Sequence, residues 1–261
     1  MIRSLWTGTT GMHSQQLNID VIANNLANVS TTGFKKSKAD FQDLLYQTMK
    51  VPGSQTSADT ESPTGILVGL GVKPAAVTKV FTQGDLILTE NELDVAIEGN
   101  GFLQVELPNG NTSYTRAGAL KRDSNGRLTT SDGYPIIPGV TIPDGSKQIS
   151  IGETGVVSAI IGDDSVSTEL GNIELAAFTN NAGLSAIGKN LFEETAASGI
   201  AQIGNPGEDG FGTLLQSYLE GSNVNIVEEM ASMITTQRAY EINSKTIQTS
   251  DEMMQTTNNL V

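Results

Sequence analysis

The chain has 261 residues, 38% hydrophobic and 5% aromatic, with no cysteine and a formal net charge of −14. That length supports one sizeable core or a core with extended arms, and the lack of cysteine excludes a disulfide framework or a thiolate zinc site. The acidic balance argues against nucleic acid as a partner, because phosphate recognition needs a cationic surface.

No apolar run reaches the roughly 18 residues of a membrane span. The first residues carry no continuous apolar region and no small-residue cleavage site, so no cleaved secretory signal is expected. Leu5, Met12, Ile19 and Leu26 then recur every seventh residue, and Ile22 and Val29 add a second row. Seven residues make nearly two helical turns, so these side chains share a stripe, and the spacing predicts a helix over about residues 4–28. Asn24, Asn25 and Asn28 bracket Leu26 on its polar side, suited to bonding between helices, and Gly33 is placed to end the following turn. Lys35, Lys36 and Lys38 form the one basic cluster, read as a solvated turn or a patch facing acidic neighbours. Residues 50–71, rich in Pro, Gly, Ser and Thr, read as an extended arm.

The middle has strand-like alternation. Leu103, Val105 and Leu107 alternate with Gln104 and Glu106, Val95 and Ile97 with Asp94 and Glu98, and Ile149 and Ile151 flank Ser150. Asn109-Gly110, Asn125-Gly126, Asp132-Gly133 and Asp144-Gly145 punctuate these runs as turns. Residues 85–205 are therefore expected to form an antiparallel domain of short strands. Signals for chemistry are weak. His13, the single histidine, sits on the predicted first helix, and Asp163-Asp164 occupies a turn context after Gly162. Gly69-Leu70-Gly71 and Gly99-Asn100-Gly101 do not continue into a phosphate loop, and Asp123-Ser124-Asn125-Gly126 lacks the later Glu of a calcium loop. No catalytic, cofactor-binding or metal-binding residue is predicted, and an enzyme is not expected.

At the C-terminal end the seven-residue spacing returns in Ile226, Met233, Tyr240, Ile247, Met254 and Val261, widened by Met230, Ile234 and Ile242. Asn225 and Glu228 have capping-box spacing, Glu229 suits the helix dipole, and Glu241 with Lys245 makes a favourable i, i+4 pair. No Pro or Gly interrupts residues 225–261. A strict seven-residue repeat drifts by about 20° per heptad on a straight helix, so a maintained contact implies supercoiling. The expected fold class is α+β: long N- and C-terminal helices forming a coiled-coil inner domain, with an antiparallel β-rich middle domain. The expected boundaries are 1–35 for the first helix and turn, 36–84 for the arm, 85–205 for the middle domain, 206–224 for a return linker and 225–261 for the last helix. Polar flanks such as Gln237 and Ser244 make a lone two-helix hairpin weak. Further copies are therefore expected on the stripes, with terminal order gained on assembly. The interface candidates are Leu5, Met12, Ile19, Ile22, Leu26, Val29, Ile226, Met230, Met233, Tyr240, Ile247 and Met254.

Two segments carry a recognisable likeness. Residues 21–34, VIANNLANVSTTGF, followed by KKSKADFQDLLYQTM, resemble the N-terminal motif shared by flagellar rod and hook proteins. Residues 222–254, SNVNIVEEMASMITTQRAYEINSKTIQTSDEMM, resemble their C-terminal motif. LDVAIEG at 93–99, GNGFLQVELPNG at 99–110 and SYTRAGALKRDSNGRLTTSDGYP at 113–135 resemble their shared β-domain. Residues 43–57, running into 65–74, are similar to the arm of the distal rod branch, with about 46–71 as its specific stretch. Leu103 stands where many members carry a second aromatic. The resemblance implies signature roles for Asn24, Asn25, Asn28, Gly33, Phe34, Gln237, Arg238, Tyr240 and Glu241. It also implies a structural subunit that assembles into a rigid hollow helical drive shaft carrying motor torque to the hook. The implied partners are copies of itself, proximal rod and hook or hook-junction proteins, P-ring and L-ring bushing proteins and the flagellar type III export apparatus, with no cofactor. The implied place is the basal body, in a rod crossing the periplasm to the outer membrane. The nearest alternative is another axial protein, either hook or rod paralogue. A hydrolase acting on cell-wall glycan and a surface adhesin with a β-rich head are the alternatives from other classes.

Overall fold

The computed structural model describes residues 2–53, 55–57, 60–61, 63–161 and 167–259. Asp163, Asp164 and Val261 lie outside them. The chain is α+β, with a helix at each end and strands between. It divides into two compact units. Unit 1 comprises Met1–Leu26, Ser37–Thr78 and Asn225–Val261, and unit 2 comprises Ala27–Lys36 and Lys79–Val224.

Unit 2 is built on an antiparallel seven-stranded sheet, counted among the described residues. Its main path runs Ser185–Gly188, Leu191–Glu193, Thr112–Thr115, Phe102–Glu106, Leu175–Ala177 and Gln202–Gly204, with Ile136–Ile137 also paired to Phe102–Glu106. Successive strand residues point to opposite faces. Leu103, Val105, Leu175 and Leu191 enter an aliphatic core with Leu120, Leu128, Ile136, Ile142, Ile173 and Leu214. Their neighbours Phe102, Tyr114, Ala176 and Phe192 enter a second, aromatic cluster with Phe178, Leu184 and Phe81. The rings meet edge to face with centroids 4.7 to 6.0 Å apart, an arrangement that adds about 0.5–1.5 kcal/mol per pair beyond area burial. Five of the 13 aromatic residues of the chain meet at this one place. Gln104, expected on a solvated face by alternation, is only 2% exposed because the aromatic cluster covers that face.

A three-stranded antiparallel sheet, Ser146–Ile151, Val156–Ile161 and Ser167–Asn172, contributes Ile151 and Val157 to the aliphatic core. The four Asn/Asp-Gly pairs lie at turns whose glycines have positive φ, as their type predicts. Residues 206–224 read as a linker in sequence, but they hold two strands. Thr213–Gln216 pairs with Val95–Glu98, and Tyr218–Glu220 pairs with Leu86–Leu88. Burial of Leu214 at 1% exposure is what draws the first of these strands in.

In unit 1, helix α1 spans Ile2–Ala27 and helix α2 spans Ile226–Asn259. Asn225 caps α2, its Oδ1 accepting from the backbone N–H of Val227 at 3.0 Å and of Glu228 at 3.4 Å. The arm is an antiparallel ribbon. Ser37–Asp43 pairs with Val72–Lys79, Tyr46–Lys50 with Ile66–Gly69, and Gln55–Ser57 with Thr60–Glu61. Pairing satisfies the backbone of a segment too polar to fold on side-chain burial alone.

Candidate functional site

The helices of unit 1 run antiparallel and touch along a polar, small-residue seam. The Ser4 and Ser250 hydroxyls lie 3.1 Å apart, Asn18 Nδ2 donates to Thr236 Oγ1 at 3.1 Å, and Asn25 Nδ2 donates to Glu229 Oε2 at 3.3 Å. Between these bonds the backbones come close. A Cβ on Gly8 would stand 2.9 Å from Ile247 Cγ1, and one on Gly11 would stand 2.9 Å from the Asn243 side chain. The seam therefore has its own seven-residue spacing: Ser4, Gly11, Asn18 and Asn25 face Ser250, Asn243, Thr236 and Glu229. Ser14, Val21 and Ile22 are buried beside it. A search for apolar periodicity passes over this row, although its spacing is present in the sequence.

All the predicted interface residues except Val29 lie on the two helices. Leu5, Met12, Ile19 and Leu26 on α1, and Met233, Ile247 and Met254 on α2, are half-buried, and Ile22 is buried. Ile226, Met230 and Tyr240 are exposed, and Val29, half-buried, belongs to unit 2. A further apolar face of α2 is open, with Val227 76% and Ile234 57% exposed and Met230 and Ile242 also exposed. The arm ribbon likewise presents Leu45, Tyr46, Met49, Val51, Ile66 and Leu67 on its surface. Apolar surface of this extent on helices and on a two-stranded ribbon is characteristic of interaction sites.

Asn25 has the densest local role among the signature residues. Its buried amide donates to Ser37 O at 2.9 Å and accepts from Ser37 N at 2.8 Å, so one side chain holds the arm strand and bonds Glu229 of α2 as well. Asn24 is exposed, and Asn28 Oδ1 accepts from Thr31 Oγ1 at 3.2 Å. Gly33 has φ +68°, and a Cβ there would lie 2.6 Å from Ala117 N, so the turn after α1 admits only glycine. Phe34 is buried beneath the Lys79 ammonium, 4.8 Å from its ring centre. On α2, Gln237, Arg238 and Tyr240 are exposed, and Arg238 pairs with Glu241 at 2.9 Å, where Lys245 was the expected partner.

Of the two readings of the basic cluster, a solvated turn or a patch facing acidic neighbours, Lys35 follows the second, although it is not solvated. It is fully buried in unit 2, with Nζ 2.5 Å from Glu220 Oε1 and donating to Thr82 O at 2.8 Å. Glu220 Oε2 meets Arg116 at 3.3 Å, and Arg116 in turn donates to Gly99 O at 2.7 Å and lies over the Phe102 ring. Burial pushes the Lys35 ammonium below its ordinary pKa against the opposing pull of Glu220, and burial likewise lowers Arg116. The cluster was invisible in sequence because Lys35 and Glu220 are far apart along the chain. Lys38, by contrast, makes an exposed pair with Asp40 at 3.2 Å.

Three family descriptions match the chain. "Flagella basal body rod protein" covers residues 5–35, "Flagellar hook protein FlgE/F/G D1 domain" covers 96–159, and "Flagellar basal body rod FlgEFG protein C-terminal" covers 215–260. Among curated relatives, the flagellar basal-body rod protein FlgG of Borreliella burgdorferi is 52% identical, with 100% of this chain and 99% of the relative covered. The proteins of that name from Buchnera aphidicola subsp. Schizaphis graminum and Caulobacter vibrioides are 51% and 49% identical. Coverage is 98% of both chains for the first and 99% of both for the second. With matches at both helical ends and in the β-rich middle, and near-complete relatives at about half identity, the chain belongs to the flagellar basal-body rod protein family, within the rod and hook axial proteins.

Proposed function

We propose that the chain is a structural subunit of the distal rod, assembling with copies of itself into a stiff hollow shaft that carries motor torque to the hook. The observation that carries this reading is the division of labour in unit 1. A polar seam pairs α1 with α2, while the apolar rows beside it and the open α2 face stay available to neighbouring copies. In that assembly the two helices supercoil as an inner layer, with Leu5, Met12, Ile19, Ile22, Leu26, Val29, Ile226, Met230, Met233, Tyr240, Ile247 and Met254 at subunit contacts. Copies joined head to tail make a helical filament instead of a closed ring of fixed size. The arm ribbon, with apolar residues on its surface, adds contacts that resist bending. The remaining partners in this reading are proximal rod and hook or hook-junction proteins, the P-ring and L-ring bushings, and the type III export apparatus, which delivers the chain. The shaft then crosses the periplasm to the outer membrane.

Electron microscopy of basal bodies from a strain lacking the gene tests the reading. Rods that stop short, with no hook, are expected. Complete basal bodies with normal hooks would overturn it.

A further inference from the structure

The chain passes into and out of unit 2 by four covalent links. It enters at Ala27, leaves after Lys36, returns at Lys79 and leaves again after Val224. The segments of unit 2 next to the last three of these links are bound to one another by two side chains of the outgoing segment. Glu220 takes Lys35 Nζ at 2.5 Å and the backbone N–H of Gly84 at 3.0 Å on one carboxylate oxygen, and Arg116 on the other. Its backbone carbonyl accepts from Gly33 N at 2.8 Å. Asn223 repeats the pattern without charge. Its Oδ1 accepts from Lys36 N at 2.7 Å, and its Nδ2 donates to Val80 O at 2.8 Å and Thr82 O at 3.1 Å. Val80 N donates to Lys36 O at 2.9 Å, and Lys79 Nζ donates to Lys35 O at 3.2 Å.

We propose that Glu220 and Asn223 form a clasp that makes the three segments, residues 33–36, 79–84 and 220–223, open and close as one cooperative element. The clasp is separate from the strands of the central sheet. The physical reason is shared dependence. Glu220 is the carboxylate that holds both Lys35 and Arg116, so residues 220–223 cannot withdraw without stranding two buried cations, and residues 33–36 or 79–84 cannot withdraw without breaking their bonds to Glu220 and Asn223. Arg116, held by Gly99 O and the Phe102 ring, anchors the clasp to the sheet. A chain built this way delivers a pull from its arm or from α2 to unit 2 at one place. The inference stands on unit 2 alone and holds whether or not the chain assembles as a rod.

Amide hydrogen exchange on the full chain tests it. E220Q leaves two buried cations without a carboxylate. It is expected to accelerate exchange at Gly33, Lys36, Val80, Gly84 and Gly221 together, by about 100-fold, while amides of Phe102–Glu106 change by less than about threefold. Asn223→Ala removes no charge and serves where E220Q does not fold. It should accelerate Gly33 and Gly84, which Asn223 does not touch, along with Lys36 and Val80, by about tenfold. Acceleration confined to Lys36 and Val80 in Asn223→Ala would overturn the clasp. So would equal acceleration in Phe102–Glu106 in either variant, or none at all.

Discussion

Among the described residues, unit 2 holds two clusters of buried apolar side chains and unit 1 holds none of that size, although Ile200 and Ile203 of unit 2 are exposed as well. In unit 2 both faces of the central sheet are covered, one by aliphatic and one by aromatic side chains, and even Gln104 is buried. In unit 1 the helix seam is made mostly by Ser, Gly, Asn and Thr, with Ile247 against Gly8, and apolar residues such as Ile234 and Leu45 remain at the surface. Burial of apolar area is the main favourable term in folding, so unit 2 carries its stability internally. Unit 1 leaves part of that term for contacts with other molecules. The difference teaches that a seven-residue apolar stripe does not by itself say which partner it serves. The partner is decided by the row that lies next to it.

The sharpest way to break the comparison is inside unit 2. Phe102 lies at the centre of the aromatic cluster and under Arg116, so Phe102→Ala should cost about 3–5 kcal/mol in chemical denaturation followed by near-ultraviolet circular dichroism. A loss below about 1 kcal/mol would mean that the aromatic face is not a true core. The next test contrasts two isoleucines of α2. Ile247 packs on Gly8, so Ile247→Asp should destabilise the pairing of α1 with α2 by about 1–3 kcal/mol as well as abolish assembly. Ile234 is open, so Ile234→Asp should leave monomer stability within about 0.5 kcal/mol while raising the concentration needed for self-association in sedimentation by about tenfold or more. Equal effects on the monomer would erase the distinction between seam and open face.

The smallest effect is in pH. Burial lowers the Lys35 pKa from 10.5, so the folded chain binds fewer protons there than the unfolded chain. The stability this shift contributes is fully present above pH 10.5 and is lost as pH falls through the folded pKa. Stability of the wild type relative to Lys35→Met should therefore rise with pH as 10.5 is approached from below. A flat difference across that window would show that Lys35 is not desolvated. Because Met retains an apolar stem and leaves Glu220 paired with Arg116, the substitution should be far milder than removing Glu220.

The α+β class, both terminal helices and the Asn-Gly and Asp-Gly turns were legible because each rests on local chemistry: a period of seven, a period of two, and residues that tolerate positive φ. Asn225 as a cap and Gly33 as the residue ending the first turn were legible for the same reason. The polar seam was half legible, since Ser4, Gly11, Asn18 and Asn25 carry the spacing but not the hydrophobicity that draws attention to it. The burial of Gln104 and the strands at 213–220 were not legible, because alternation in one strand does not report what covers its far face. The family signatures and the two stripes were thus determined by the sequence itself, because they depend on residues near one another along the chain. The burial of Lys35 against Glu220 and Arg116 was decided by tertiary structure alone. Only folding brings such distant charges together, and only their mutual neutralisation makes it possible to remove them from water.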